Sequence, residues 1–245
     1  MNIHKQQGVC DFSNTQDATE IYLDGTYLKN NPSWGIEDSP WKAIQIQKIL
    51  SKNGIYSKTV CEIGCGAGEI LNQLSSKNQN TNFVGFEISP DAFELCKTRI
   101  SENVKYFNKN LINEDAFFDT LLCIDVFEHV EDYIGFLKAI KKKSAYKVFH
   151  IPLDISVLNV LRGVLLIKRK SVGHLHYFTP ATAIATLKDC GYEIVDYYYT
   201  TPFDDLPSKT LKAKIAKFPR KLLFMASPDL MVKLLGGCSL IVLSK

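Results

Sequence analysis

Val60-Cys61-Glu62-Ile63-Gly64-Cys65-Gly66-Ala67-Gly68-Glu69-Ile70-Leu71 is the stretch that decides the fold. A short β-rich run, Lys58–Ile63, enters a turn with three glycines. Ile70, Leu71 and Leu74 then recur at helical spacing. Glycines at such a turn let the chain bend tightly and let a ligand approach the backbone closely. Their spacing narrows the ligand. A dinucleotide fingerprint reads G-x-G-x-x-G, but its third glycine position holds Glu69, and the glycines fall as G-x-G-x-G at Gly64, Gly66 and Gly68. A dinucleotide-dependent oxidoreductase is therefore disfavoured. Glu62, two residues before the first glycine, suits a ligand carrying an ammonium group better than one carrying a pyrophosphate.

Outward from this turn the pattern alternates. Asp38-Ser39-Pro40 opens a helix running from Trp41 to about Lys52, where Asn53-Gly54 stops it. After the glycine turn come a strand at Asn82–Phe86, a helix opened by Ser89-Pro90, and strands at Val104–Phe107, Thr120–Ile124 and Lys147–Ile151. Val130, Tyr133, Ile134, Leu137 and Ile140 mark a helix between the last two. Strands alternating with helices predict βαβ units, hence an α/β fold with a mainly parallel sheet. The tail differs. A helix follows Phe178-Thr179-Pro180 and ends at Gly191, and strands follow at Glu193–Tyr199 and Ser239–Leu243. These two late strands predict an antiparallel edge. The expected organisation is an N-terminal strap or lid over residues 1–38 and one domain over 39–245. Substrate-side insertions are expected at about 154–177 and 202–237.

The glycine turn resembles the first motif, E/D-x-G-x-G-x-G, of the class I S-adenosylmethionine (SAM)-dependent methyltransferases. Phe83-Val84-Gly85-Phe86-Glu87-Ile88-Ser89-Pro90 is similar to their second element, a strand ending in an acid, here 19 positions after Gly68. Phe118 to Val130, with Asp125-Val126-Phe127-Glu128-His129, is similar to their fourth strand and the turn after it. Gly173-His174-Leu175-His176-Tyr177-Phe178-Thr179-Pro180 matches a G-H-x-x-x-F-T-P segment of the type 11 and type 12 small-molecule branch, which includes ubiquinone-biosynthesis O-methyltransferases. The resemblance covers about residues 39–200. It implies a Rossmann-like seven-stranded, mainly parallel sheet with an antiparallel last strand and helices on both faces. It implies SAM as cofactor and S-adenosylhomocysteine as product. The cofactor residues it implies are Glu62, Gly64, Cys65, Gly66 and Gly68, with Glu87 and Ile88 at the ribose, Asn110 near the adenine and Asp125 beside the methionine part.

Methyl transfer from a sulfonium is an in-line displacement that asks the enzyme mainly for alignment and exclusion of water. A hydroxyl acceptor also has to lose a proton. His129, after the fourth strand, and His150, at the end of the fifth, are the candidate bases. No metal is required by this reading. The alternative is that Asp125, Glu128 and His129 hold a divalent cation, because Asp125-x-x-Glu128-His129 resembles an E-x-x-E-H turn that does so in some relatives of this branch, and His150 or His174 would complete the set. Tyr22, Tyr27 and Trp34 offer aromatic faces for a sulfonium.

Composition sets the remaining bounds. The chain has 245 residues, 46% of them hydrophobic and 22% charged, with a net charge of +3, as expected of a globular domain with a sizeable core. Nucleic acid is not the expected partner, and the turn after the fourth strand lacks the D/N-P-P-Y pattern of nucleic-acid amino-methyltransferases. Seven cysteines, none in a C-x-x-C pair, read as buried thiols of a reducing compartment. The N-terminus has no apolar signal segment and no stretch is long enough to span a bilayer, so a cytoplasmic location is expected. Lys209, Lys212, Lys214, Lys217, Arg220 and Lys221 form a basic run, with Leu211, Ile215 and Phe218 on one face up to Pro219. This run and Ile155–Lys170 offer contacts to an anionic acceptor or a membrane surface. The expected activity is O-methylation of a small-molecule or glycan acceptor. The alternative is a non-catalytic SAM-binding module serving a partner protein.

Overall fold

The computed structural model describes residues 20–207 and 211–245. Cys10, Lys209 and the first half of the expected strap lie outside them. The chain opens with two short helices, α1 (Glu20–Leu23) and α2 (Thr26–Asn30), before the long α3 (Ser39–Lys52). The alternating part follows as β1 (Thr59–Ile63), α4 (Glu69–Ser75), β2 (Asn82–Phe86), α5 (Pro90–Cys96), β3 (Val104–Phe107), β4 (Phe118–Ile124), α6 (Tyr133–Lys141) and β5 (Ser144–Pro152). The remainder comprises α7 (Val157–Leu161), α8 (Val164–Val172), α9 (Pro180–Asp189), β6 (Ile194–Thr200), α10 (Pro202–Asp205), α11 (Leu211–Ala226), α12 (Pro228–Leu235) and β7 (Ser239–Ser244).

The strands form one seven-stranded sheet in the order β3-β2-β1-β4-β5-β7-β6. Only β7 runs against its neighbours, pairing antiparallel with both β5 and β6. Strand alternation builds a core on each face. Leu121 and Cys123 of β4 point to a layer with Leu137 and Ile140 of α6, Leu187 of α9 and Met231 of α12. Leu122 and Ile124 point the other way, to Ile46 and Ile49 of α3 and Leu71 and Leu74 of α4. The central strands are buried on both faces, which is why they read as continuous apolar runs in the sequence. Six cysteines are free and buried.

Two elements depart from the sequence reading. Helix α6 begins at Tyr133, because Asp132 accepts the Gly135 N–H and caps it, and Phe127–His129 forms a separate 3-10 turn. Helix α11 continues through Pro219 to Ala226. Pro219 is exposed, so the carbonyl that loses its helical donor there can be solvated. Among the described residues no helix is long and apolar enough to cross a membrane.

Candidate functional site: a cleft at the carboxyl ends of the strands

Between β1 and β4 the strand order reverses direction, and open α/β sheets bind ligands at such a switch point. A cleft of about 980 Å³ lies there. Gly64, Gly66 and Gly68 all have positive φ, so the turn after β1 takes a path that favours glycine. A Cβ on Gly66 would come within 2.7 Å of the Trp34 indole, which covers the turn from the N-terminal segment. Gly66 is fixed by two further contacts. Its N–H donates to Glu87 Oε2 at 2.8 Å, and Cys96 Sγ donates to its carbonyl at 3.0 Å.

The structure gathers the residues expected at the cofactor around this turn. Glu62, Gly64, Cys65, Gly66, Glu87, Ile88, Asn110 and Asp125 all line the cleft. Gly68 begins α4 just beyond it. Glu62 is 2% exposed and its Oε2 has no hydrogen-bond partner. Burial pushes its carboxyl well above the usual range. An unsatisfied buried carboxylate fits a cationic ligand group. Burial also pushes Glu87 up, and the N–H groups of Ser89, Gly66 and Ile88 act against it. Asn110 Oδ1 accepts the Ile112 N–H and shapes the turn after β3.

Asp125 sits at positive φ at the end of β4. Its carboxylate pairs with Lys42 Nζ at 2.8 Å and His150 Nδ1 at 2.6 Å. Burial pushes this carboxyl up, but the two partners more than offset that and hold it below the usual carboxylate range. His150 Nε2 meets Thr200 Oγ1 at 3.0 Å. Both ring nitrogens of this candidate base are thus engaged in holding β4, β5 and β6 together, which leaves no free lone pair for an acceptor.

A second cluster of polar groups is built on the Phe127–His129 turn. The segment from Gly173 to His176 is laced onto it. Leu175 and His176 N–H both donate to the Glu128 carbonyl, at 2.8 and 3.0 Å. His129 Nδ1 lies 3.1 Å from the Gly173 carbonyl and 2.9 Å from Tyr22 Oη, and the Tyr22 hydroxyl lies 3.0 Å from the Val172 carbonyl. A carbonyl only accepts, so Nδ1 carries the proton and Nε2 keeps its lone pair. Burial, with the His174 ring beside it, lowers His129 to about 4. His174 Nδ1 meets Asp154 Oδ2 at 2.6 Å, which leaves its Nε2 free as well. Glu128 is 1% exposed with neither carboxylate oxygen hydrogen-bonded. Burial and the nearby Asp125 charge push its carboxyl well up.

Donor atoms of Glu128, His129 and His174 lie within 4.8 Å of one another. The expected cation set therefore changes. Asp125 is drawn away by Lys42 and His150, and His174 stands with Glu128 and His129 instead. Two contributors were not read from the sequence. Lys42 on α3 carries no motif. Asp154 could have been suspected as an acid at the end of an apolar strand, just ahead of the Gly173–Pro180 segment.

The comparisons with known proteins agree with this geometry. A family described as a methyltransferase domain matches residues 42–197. The ubiquinone biosynthesis O-methyltransferase of Colwellia psychrerythraea is 24% identical over 170 residues, covering 63% of this chain and 68% of that protein. Other enzymes of that name are covered over about half their length. Magnesium protoporphyrin IX methyltransferase from Synechocystis with bound SAM superposes with a TM-score of 0.61 at 14% identity, over 95% of this chain and 99% of that one. The N-methyltransferase NodS from Bradyrhizobium japonicum, bound to S-adenosylhomocysteine, gives 0.59 at 15%, over 94% and 98%. Sheet order, glycine turn and family match converge, and the chain belongs to the methyltransferase domain family as a class I SAM-dependent methyltransferase.

Proposed function

We propose that this enzyme methylates a hydroxyl oxygen of a small organic or glycan acceptor, and that Glu128, His129 and His174 receive that hydroxyl. The observation that carries the reading is the pair of unpartnered Glu128 oxygens beside two imidazole nitrogens with free lone pairs. An unpartnered buried carboxyl and two imidazole lone pairs form a set that a divalent cation would satisfy by displacing the carboxyl proton. The donor chemistry fits a divalent cation, and Asp154 orients His174 as carboxylates orient metal-binding histidines. When bound, such an ion would lower the pKa of the acceptor hydroxyl. His129, lowered to about 4, is a weak proton acceptor but is held in the neutral form that binds cations.

The chain's own residues supply the alignment. Glu62 would pair with the SAM ammonium and Glu87 would accept from the ribose hydroxyls, while the neighbouring rings of Tyr27 and Trp34 line the same cleft. The acceptor hydroxyl would give up its proton to solvent, and its oxygen would attack the methyl carbon in line as the carbon–sulfur bond breaks with its electron pair staying on sulfur, releasing S-adenosylhomocysteine. The test is S-adenosylhomocysteine formation with a panel of phenols, sugar nucleotides and amines. Turnover is expected with hydroxyl acceptors, suppressed by EDTA and restored by Mg²⁺ or Mn²⁺. Turnover with amines alone would overturn the reading.

A further inference from the structure

The two segments outside the βαβ core, α7–α8 and α11–α12, share an unusual surface. Leu211, Ile215, Phe218, Leu222 and Met225 recur at spacings of four and three, so they form one stripe along α11. All five are 53–76% exposed. The opposite side of the same helix packs inward through Leu223 and Phe224, so the stripe is not simply the helix's core face. Helix α12 packs against both α11 and α7, and it exposes Leu230. On α7 and α8, Leu161, Leu166 and Ile167 are exposed as well. Exposed apolar side chains gathered on helices that pack in series point to an interaction site.

Charge identifies the partner. Residues 155–172 and 211–235 carry ten lysines and arginines against one acid, Asp229, in a chain whose net charge is only +3. Asp229 is occupied by the Tyr199 hydroxyl. Arg162, Lys170, Lys214 and Lys233 are exposed and make no ion pair among the described residues. Lys214, Lys217 and Lys221 border the α11 stripe along one edge, where basic side chains meet headgroups when an amphipathic helix lies in an interface; Lys217 and Lys221 share Asp204, one acid between two lysines, and Lys214 has no acidic partner among the described residues. A second copy of the chain would bring like charges together on this face. An anionic lipid surface offers both the apolar depth and the counter-charge.

We infer that the α7–α8 and α11–α12 face docks this enzyme on an anionic membrane surface, with the Phe218 stripe entering the acyl boundary and the flanking lysines and arginines meeting lipid headgroups. Helix α8 also carries Lys168, Ser171 and Val172 on the wall of the cleft, so one element joins the docking face to the active site. The inference does not depend on which acceptor is methylated.

The test uses the full chain and vesicles of phosphatidylcholine with and without phosphatidylglycerol. Co-sedimentation is expected with the anionic vesicles, at least tenfold tighter than with the neutral ones, and weakened by salt, since each cation near an anionic surface gains roughly fivefold in binding. Phe218→Glu with Leu222→Glu should reduce vesicle binding at least tenfold while SAM affinity and melting temperature stay as in the parent. Phe218→Trp, a conservative variant, should show quenching by bromine-labelled lipid beyond that of the parent, whose own indoles are Trp34 and Trp41. Equal sedimentation of the Glu variant and the parent, no sedimentation with anionic vesicles at low salt, or no added quenching in the Phe218→Trp variant would each overturn the proposal. A dimer that Phe218→Glu dissociates, without vesicle binding, would assign the face to a second copy instead.

Discussion

Glu87 Oε2 accepts the backbone N–H of Gly66 at 2.8 Å, while its Oε1 accepts that of Ser89 at the same distance. One carboxylate thereby ties the glycine turn after β1 to the turn after β2. Each oxygen retains a lone pair for a ribose hydroxyl. Removing it costs twice, through lost ligand hydrogen bonds and through a loosened turn. Glu87→Ala is expected to weaken SAM binding by about 3 kcal/mol, on the order of a hundredfold, as for loss of hydrogen bonds to a charged group. Calorimetric titration with SAM checks this, and unchanged affinity would remove Glu87 from the site.

Glu62 is expected to make SAM binding a proton-linked event. Without ligand, its carboxyl is buried, partly unpartnered and raised well above the usual range. Relative to the unfolded chain, its contribution to stability is full at low pH and is lost as pH rises through the raised folded value. An ammonium group placed beside it favours the ionised form and lowers that value again. Binding should therefore release protons, and affinity should rise with pH up to the ligand-free pKa. Calorimetry near pH 7 in buffers of different ionisation enthalpy measures the release directly. Glu62→Gln, with no proton to lose, should abolish it and weaken SAM binding. Identical proton counts in the two proteins would rule Glu62 out as the linked group.

The glycine-turn half of the candidate site was legible in the sequence because it depends on local chain geometry. Gly64, Gly66, Gly68 and the acids at the ends of β1 and β2 lie within 26 consecutive residues, and positive φ restricts which residues can serve at the turn. The Glu128–His129–His174 half was only partly legible because it is assembled at long range. His174 joins Glu128 and His129 only after the Gly173–His176 segment docks on the turn following β4. Likewise, nothing local to Asp125 announces Lys42, 83 positions earlier on α3. An acid at the end of a strand reads as a potential ligand until its counter-charges are seen. The antiparallel edge was readable from the order of elements, whereas the run of α11 past Pro219 was not, because exposure decides whether a helix tolerates proline.

Glu128, His129 and His174 yield a prediction that does not require a known acceptor. Adding Mn²⁺ or Mg²⁺ should raise the melting temperature of the parent protein, since a ligand that binds only the folded state stabilises it by mass action. Glu128→Gln keeps the shape but removes the carboxylate charge. It should abolish the metal-dependent shift while leaving SAM affinity within about twofold, well under the tenfold that 1.4 kcal/mol represents. Asp154→Asn should weaken the metal effect by roughly 10–100-fold through loss of His174 orientation. A metal shift that survives in Glu128→Gln would place the ion elsewhere.

Trp34 and Gly66 give a prediction that isolates the N-terminal segment. The indole stands where a Cβ on Gly66 would need to be, at 2.7 Å, and Gly66 itself has φ of +55°. Gly66→Ala therefore meets two penalties, a left-handed backbone conformation of about 1 kcal/mol and a collision with the ring. Trp34→Ala removes the ring and opens one wall of the cleft, which should weaken SAM by about tenfold through faster dissociation. If the contact between these two residues governs the cleft, the penalties are not additive. In the Trp34→Ala background, Gly66→Ala should cost only the backbone share, leaving a coupling energy of about 1 kcal/mol or more in a double-mutant cycle read by SAM affinity. Strict additivity would mean that the segment from α1 to Trp34 stands clear of the glycine turn in solution. In that case the aromatic faces of Tyr22, Tyr27 and Trp34 would be no part of the cofactor site.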